Sequence, residues 1–560
     1  HAFLDAELDQ LDGMAKIIPP IFLFVSAFLV NMILSRLIAL EREQIGLFKA
    51  LGYGNFAIGL HYAKLVIAIA IVGLIVGAAA GYWLGQGLTN LYARFFSFPF
   101  LIFSQSTDLY FIAGGVTVFA ALAGAAKSIW TVVNLPPAVA MRPAVPTDYR
   151  SFLATGLQKL NFFSKLTTMA LRHLVRWPIR TLLTTLGTSL SVALLITALF
   201  SWDSIDSMID TIFFRADRQD ATLSFVTAKG IDALPSIAAL PGVIRAEPFR
   251  STAVKLRNRH RDLRMTIIGI ASGADLSRVL DLELNPMPLP SSGLVLSERV
   301  AEKLKLSPGD MVEIELLEKE SRVVRVALAS VAQGQPGLSD TAPAQGHTAK
   351  LAVVAVSQSY VGLTAFMNME GLNRLMRDGR KISGVRVLID LNRLGDLYDK
   401  VKKTPAIASI ALQKISRKRF RETIEENISI MNRVYVTLAI IITFGVVYNS
   451  ARIQLSERAR ELASLRVFGF TRAEVSRVLM TELSVMVLLA QPLGWLLGFS
   501  FSWAVLKGFQ SDLFRIPLVI NPSTFATASL VVIGAAVVSA LVVRRRIDRL
   551  DLIRVLKTRE

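Results

Sequence analysis

Seven stretches of the chain stay apolar long enough to cross a bilayer, which takes roughly 20 helical residues. They fall at 17–39, 62–86, 109–133, 181–202, 430–450, 478–504 and 524–543. Between the fourth and the fifth the rhythm changes. Runs such as MTIIGIA, MVEIELL, RVVRVALASV, LAVVAV and GVRVLID are short and alternate apolar with polar positions, which predicts β-strands. SERVAEKLKL and MEGLNRLMRD predict helices, SPGD a turn, and AQGQPGLSDTAPAQGH a Gly/Pro/Ser-rich loop. The charged run SRKRFRETIEENISIMNRV predicts an amphipathic helix that continues into the fifth span. The expected fold class is an α-helical transmembrane bundle with one large α+β domain outside the bilayer.

Composition agrees. The chain has 560 residues, 52% hydrophobic and 19% charged, where a soluble protein carries about a quarter charged. The formal charge of +19 could point to nucleic acid, but its distribution decides against that. Lys and Arg gather in 40–61, 134–180 and 451–477 and at Arg544, Arg545 and Arg546, whereas the loops 87–108 and 505–523 carry few charges. Basic loops stay in the cytoplasm. Residues 203–429 are therefore expected outside the cell membrane and the C-terminus inside, with membrane lipid as a partner and no nucleic acid.

Several chemistries are excluded. There is no cysteine, so no disulfide, thiolate metal site or Cys nucleophile exists. No GxxxxGK[ST], HExxH or GxSxG run occurs, and His1, His61, His173, His260 and His347 are scattered. No catalytic residue, metal ligand or bound cofactor is expected in this chain. Asn31 inside the first span suits an interhelical hydrogen bond or a substrate contact.

An internal repeat organises the spans. With Gly52 set against Gly469, QIGLFKALG aligns without a gap with ELASLRVFG. Ile45 then faces Leu462, Phe48 faces Leu465, Leu51 faces Phe468 and Lys49 faces Arg466. The apolar positions recur every three residues, which predicts one apolar face on a short helix that a glycine closes. After Gly469, TRAE has the form of a capping box, with Thr471 as N-cap and Glu474 reaching back. In the following spans Gly73, Gly77, Gly81 and Gly85 meet Ala490, Gly494, Gly498 and Ser502, a stripe of small residues suited to close helix packing. FSFPFLIF aligns with FRIPLVIN, and LPPAVAMRP with LDLIRVLKT. A three-span unit thus occurs twice.

The expected organisation is the end of an extracytoplasmic stalk at 1–16 and a first three-span unit at 17–143, with its short charged helix at 41–52. A cytoplasmic linker at 144–180 leads to a span at 181–202 and the outer domain at 203–429. A second unit fills 430–560, with its matching segment at 457–469. Because a span and a domain precede the second unit, symmetry leads to the expectation that a helix and an extracytoplasmic domain lie upstream of His1.

REQIGLFKALG and RARELASLRVFG resemble the signature after the second helix of FtsX-type ABC transporter permeases, the family of lipoprotein-release and macrolide-exporter permeases. LRHLVRWPIRTLLTTLGTSLSVALL resembles that family's entry into its first helix, and LVLSERVAEKLKLSPGDMVEIEL its extracytoplasmic domain. The resemblance implies a coupling role, in docking to a separate cytoplasmic ABC ATPase dimer that binds ATP and Mg, for two sets of residues. The first is Arg42, Glu43, Ile45, Phe48, Lys49, Leu51 and Gly52; the second is Arg460, Glu461, Leu462, Leu465, Arg466, Phe468 and Gly469. The alternative for these segments is an amphipathic helix lying on the lipid surface. Helix packing is expected at Gly73, Gly77, Gly81, Gly85, Gly494 and Gly498. The two halves depart from each other: Gln44 stands opposite Glu461, and Leu65 opposite Glu482, which suits snorkelling or pairing with an arginine.

The implied function is the permease subunit of an ABC transport system in a bacterial cytoplasmic membrane. It would export or extract an amphiphilic, lipid-like substrate by mechanical coupling to its outer domain, where an adaptor or enzyme is a further expected partner. The alternative is a transmembrane signalling subunit that drives an extracytoplasmic enzyme or sensor without transport.

Overall fold

A computed structural model describes residues 2–95, 103, 106–140, 165–176, 178–317, 348–360, 362–508 and 515–548. The strand expected in RVVRVALASV and the loop expected in AQGQPGLSDTAPAQGH lie outside the described residues. The chain divides into two compact units. One is His1–Gly13, Ser201–Arg433 and Leu506–Val519; the other is Met14–Phe200, Val434–Val505 and Ile520–Glu560. Among the described residues, seven helices are long and apolar enough to cross a membrane, at the places the hydropathy pattern predicts.

The membrane unit begins with α1 (Ala2–Leu40), α2 (Arg42–Ala50), α3 (Asn55–Phe95), α4 (Thr107–Val133) and the short α5 (Pro137–Ala140). A basic helix α6 (Lys165–Arg176) precedes α7 (Pro178–Asp210), which runs on as a π-helical turn over Thr211–Ala216. The helices α1 to α4 share one apolar core around Leu34, Ile38, Ile58, Val66, Ala125 and Val132. Within it the Ser128 hydroxyl donates to Asn31 Oδ1 at 2.8 Å, the interhelical bond that an amide inside a span suits. Gly124 is there because a Cβ would fall 2.9 Å from the Ala27 backbone, where α4 crosses α1.

The outer domain is an α+β fold. Its strands and helices are β1 (Ala221–Gly230), α8 (Ala233–Ala238), β2 (Val243–Asn258), β3 (Arg261–Ile270), β4 (Val279–Leu280), β5 (Pro286–Met287), β6 (Leu294–Ser297), α9 (Glu298–Leu304) and β7 (Met311–Leu316). They continue as β8 (Thr348–Ser357), β9 (Thr364–Asn368), α10 (Met369–Met376), β10 (Lys381–Ile389), α11 (Leu394–Lys402) and β11 (Ile407–Leu412). The main sheet runs β11-β1-β10-β2-β3-β9-β6-β8-β7, and β7 pairs again with β2. Six strands from β2 to β7 therefore close on themselves, while β11, β1, β10 and the first half of β2 form an antiparallel sheet.

The sixteen residues of β2 serve both halves. Residues 243–249 pair with β10, and 249–258 pair with β3. Inside the closed ring sit Leu256, Ile267, Leu294, Leu296, Ile314 and Met367. A second core under the open sheet joins Leu223, Val385 and Val387 to Ile237 of α8 and Leu397 of α11. Gly384 lets β10 pass close to both neighbours: a Cβ would press on the Leu223 carbonyl oxygen and lie 2.8 Å from the Phe249 ring.

The second permease unit contains α12 (Gln413–Val467), α13 (Arg472–Gly508) and α14 (Pro522–Asp548). The amphipathic lead of α12 and its membrane span form one helix of 55 residues. The capping box forms as its spacing predicts, with the Thr471 N–H on Glu474 Oε2 at 2.8 Å and the Glu474 N–H on Thr471 Oγ1 at 3.3 Å. Beside the outer domain α12 pairs with the end of α7, through Arg421 and Asp206 at 2.9 Å and the Phe213 and Phe420 rings at 5.8 Å. In the membrane unit α7 is the central helix, buried among α1, α12, α13 and α14.

The small-residue stripe behaves differently in the two copies. At Gly494 and Gly498 a Cβ would fall 2.6 Å and 2.9 Å from Val192 and Ile196 of α7, so these glycines are the packing seam. Gly85 faces the Phe103 ring, but nothing lies within 4 Å of a Cβ at Gly73, Gly77 or Gly81. Among the described residues, those three glycines have no packing neighbour. In the second copy α7 fills the stripe, and among the described residues no span fills it in the first.

Two outcomes follow. Gly494→Ala should lower the melting temperature of the purified chain, because the added methyl meets Val192 Cβ and the Ser189 carbonyl, whereas Gly77→Ala should leave it unchanged. Gly384→Ala should destabilise the outer domain by about 1–3 kcal/mol, the usual cost of overpacking, measured by denaturant unfolding.

Candidate functional site

The repeated segments after the first span of each unit are the candidate site. In the first copy the helix breaks at Glu41 and restarts as α2. The Tyr62 hydroxyl donates to Glu41 Oε2 at 2.7 Å, holding this corner against α3. At the corresponding places the second copy has Arg458 and Leu479, which cannot make that bond. There the segment 457–469 is no separate helix; it is the end of α12, which continues unbroken to Val467. The repeated segment is thus a separate short helix in the first copy and the end of a longer helix in the second.

Both copies end alike. The Tyr53 N–H reaches the Phe48 carbonyl at 3.1 Å, and the Phe470 N–H the Leu465 carbonyl at 3.1 Å, six-residue loops that satisfy the last free carbonyls. Gly52 and Gly469 sit inside these loops with φ of +96° and +94°. A Cβ would meet nothing at either position, so the left-handed backbone alone selects glycine.

The apolar stripe of α2 is divided. Ile45 is 2% exposed and packs into the core with Leu34, Ile38 and Tyr62, while Phe48 is 48% and Leu51 69% exposed. The reason is geometric. Each three-residue step turns 300° around the helix, so the stripe drifts by 60° per step. Leu47, half exposed, takes the place that Ile45 leaves, and the four-residue spacing Leu47–Leu51 could have shown it in the sequence. In the second copy Leu465 is half-buried against Ala451, Val475 and Leu479, and Val467 and Phe468 are exposed. The side chains of Arg460, Glu461, Leu462 and Arg466 lie outside the described residues.

The charged positions also divide. The Arg42 guanidinium donates to the Val139 carbonyl of α5 at 2.7 Å. Lys49 Nζ donates to the carbonyls of Val132, Val133 and Leu135, at 3.0, 2.8 and 2.8 Å. Burial pulls the Lys49 ammonium below the ordinary lysine value. Both cations of α2 thus point at the end of α4 and at α5 rather than away from the protein. Glu43 is exposed on α2. In α13 the side chain of Glu482 is buried, 1% exposed, and does not snorkel to the surface. Among the described residues no group of acidic residues and histidines could hold a metal ion.

Residues 16–137 and 433–552 match the family model described as FtsX-like permease C-terminal. A comparison with curated proteins gives no match. Among solved structures, the chain is similar to the periplasmic region of MacB from Actinobacillus actinomycetemcomitans at 10% identity, with a TM-score of 0.24 over 37% of this chain and 94% of that one. It is similar to the extracellular domain of the noncanonic ABC-type transporter YknZ from Gram-positive bacteria at 16% identity, with a TM-score of 0.22 over 34% of this chain and 98% of that one. The two matched regions are the two three-span units that the repeat defines, each with one candidate segment near its start. The chain thus carries two copies of the FtsX-like permease C-terminal domain, one in each three-span unit.

Proposed function

We propose that this permease docks a separate cytoplasmic ABC ATPase dimer through Leu47, Phe48 and Leu51 of α2 and through Val467 and Phe468 at the end of α12. The observation that carries the reading is a shared construction. In both FtsX-like units the helical segment after the first span ends in the same glycine-closed loop and leaves large apolar side chains exposed beside it. Apolar side chains flanked by charge suit a protein groove, where they supply affinity and the charges fix orientation.

ATP and Mg belong to that partner in this reading. Closure of its two subunits pushes on both segments. The second leads directly into α12, which runs as one helix to the edge of the outer sheet at β11. There the backbone N–H of Gln413 donates to the Asp220 carbonyl at 2.8 Å, tying α12 to the start of β1. The work is spent outside the cytoplasm on an amphiphilic, lipid-like substrate that the outer domain exports or extracts from the bilayer, in a bacterial cytoplasmic membrane. The basic segments that carry α2 and the end of α12 are then cytoplasmic, as is the C-terminus.

A pull-down of the neighbouring nucleotide-binding protein tests the reading. The unaltered chain should capture it and raise its ATP hydrolysis in lipid nanodiscs. Leu51→Glu should weaken capture by about tenfold or more, a hot-spot effect, without changing membrane insertion. Leu465→Pro should break the end of α12 and abolish stimulated hydrolysis; normal stimulation in that variant would sink the assignment.

A further inference from the structure

We infer that Lys49 is a positioning residue that clamps the first coupling helix to the end of the third span of its unit, so that the two move as one body. The inference rests on the coupling reading of α2 and adds what that helix pulls on.

The ammonium group of a lysine has three protons and no acceptor. At Lys49 three carbonyls are in place to receive them: Val132 and Val133 close α4, and Leu135 follows it. The carbonyls at a helix end carry the negative end of its dipole; that of Val132 also receives the Leu135 N–H at 3.1 Å. The contact is long-range, since the acceptors lie 83, 84 and 86 positions along the chain. Arg42 repeats the arrangement from the other end of α2, on the Val139 carbonyl of α5. The helix is thus held at both ends by its own cations, on the backbone of the last residues of α4 and of the segment that follows it. Ile45 fixes the face between them in the core.

The mechanical consequence is specific. By chain connection alone, a push on α2 reaches α1 and α3, its neighbours in sequence. The Lys49 clamp adds a direct tie from α2 to α4, beside the Ser128–Asn31 bond that joins α4 to α1. All three spans of the first unit then answer to one handle. Arg466 occupies the matching place in the second copy, and a guanidinium spreads its donors over a planar fork and cannot converge three protons from one nitrogen.

The test uses the full chain with its ATPase in nanodiscs and compares Lys49→Met, which keeps the apolar stem, with Lys49→Arg. Lys49→Met should capture the ATPase as the unaltered chain does, yet lose stimulated hydrolysis by about tenfold, within the usual range of coupling between two sites. Lys49→Arg should fold and recover part of the loss, because it can still reach two of the carbonyls. Unchanged stimulation in Lys49→Met would overturn the clamp. Loss of capture in Lys49→Met would also overturn it, by showing that the ammonium belongs to the docking face. Failure of the unaltered chain to capture any ATPase is visible before a variant is made; it removes the coupling reading, and this inference with it.

Discussion

A helix in a bilayer has no water to replace a broken backbone hydrogen bond, so it transmits displacement along its axis rather than absorbing it. The 55 residues of α12 apply that constraint across the whole protein. At a rise of 1.5 Å per residue the helix is about 80 Å long, and no proline interrupts it. It starts at the last strand of the outer sheet and ends at the candidate docking segment.

The first copy solves the same problem with a corner. Glu41 and Tyr62 hold a break between α1 and α2, and Lys49 and Arg42 fasten α2 to the end of α4 and to α5. A broken helix transmits force only if its pieces are tied elsewhere, and these polar contacts are the ties. The duplicated units therefore share a fold and an ending but differ in what connects the docking segment to the spans. The small-residue stripe repeats the lesson: Gly494 and Gly498 seat α7, while Gly73, Gly77 and Gly81 stand open among the described residues.

Much of this was legible in the amino-acid order. Hydropathy located every span, the gapless alignment of Gly52 with Gly469 located the repeat, and alternation found β3, β7, β8 and β10. Closure of the ring was not legible, because β2 and β7 meet across more than fifty intervening positions and no local pattern records a register. Nor was β2 itself, whose 16 residues include Pro248 and five charged side chains, from Arg245 to Arg257. At the site, spacing by threes found the apolar positions but could not say that the stripe drifts, so Ile45 turned out to anchor and Leu47 to face outward. A lysine beside a glycine-closed helix end reads as a docking charge; only the fold brings the carbonyls of α4 to it.

In the proposed function, force passes along paired helices between the docking segments and the outer domain. The pair is α7 with α12, joined near Asp206 and Arg421. Because the chain has no cysteine, a thiol at each of those two positions can be bridged by a short bis-maleimide without side reactions. The decisive measurement is ATP hydrolysis by the reconstituted complex before and after bridging. The account predicts that bridging suppresses stimulated hydrolysis while the same two thiols left unbridged do not; full stimulated hydrolysis in the bridged complex would contradict it.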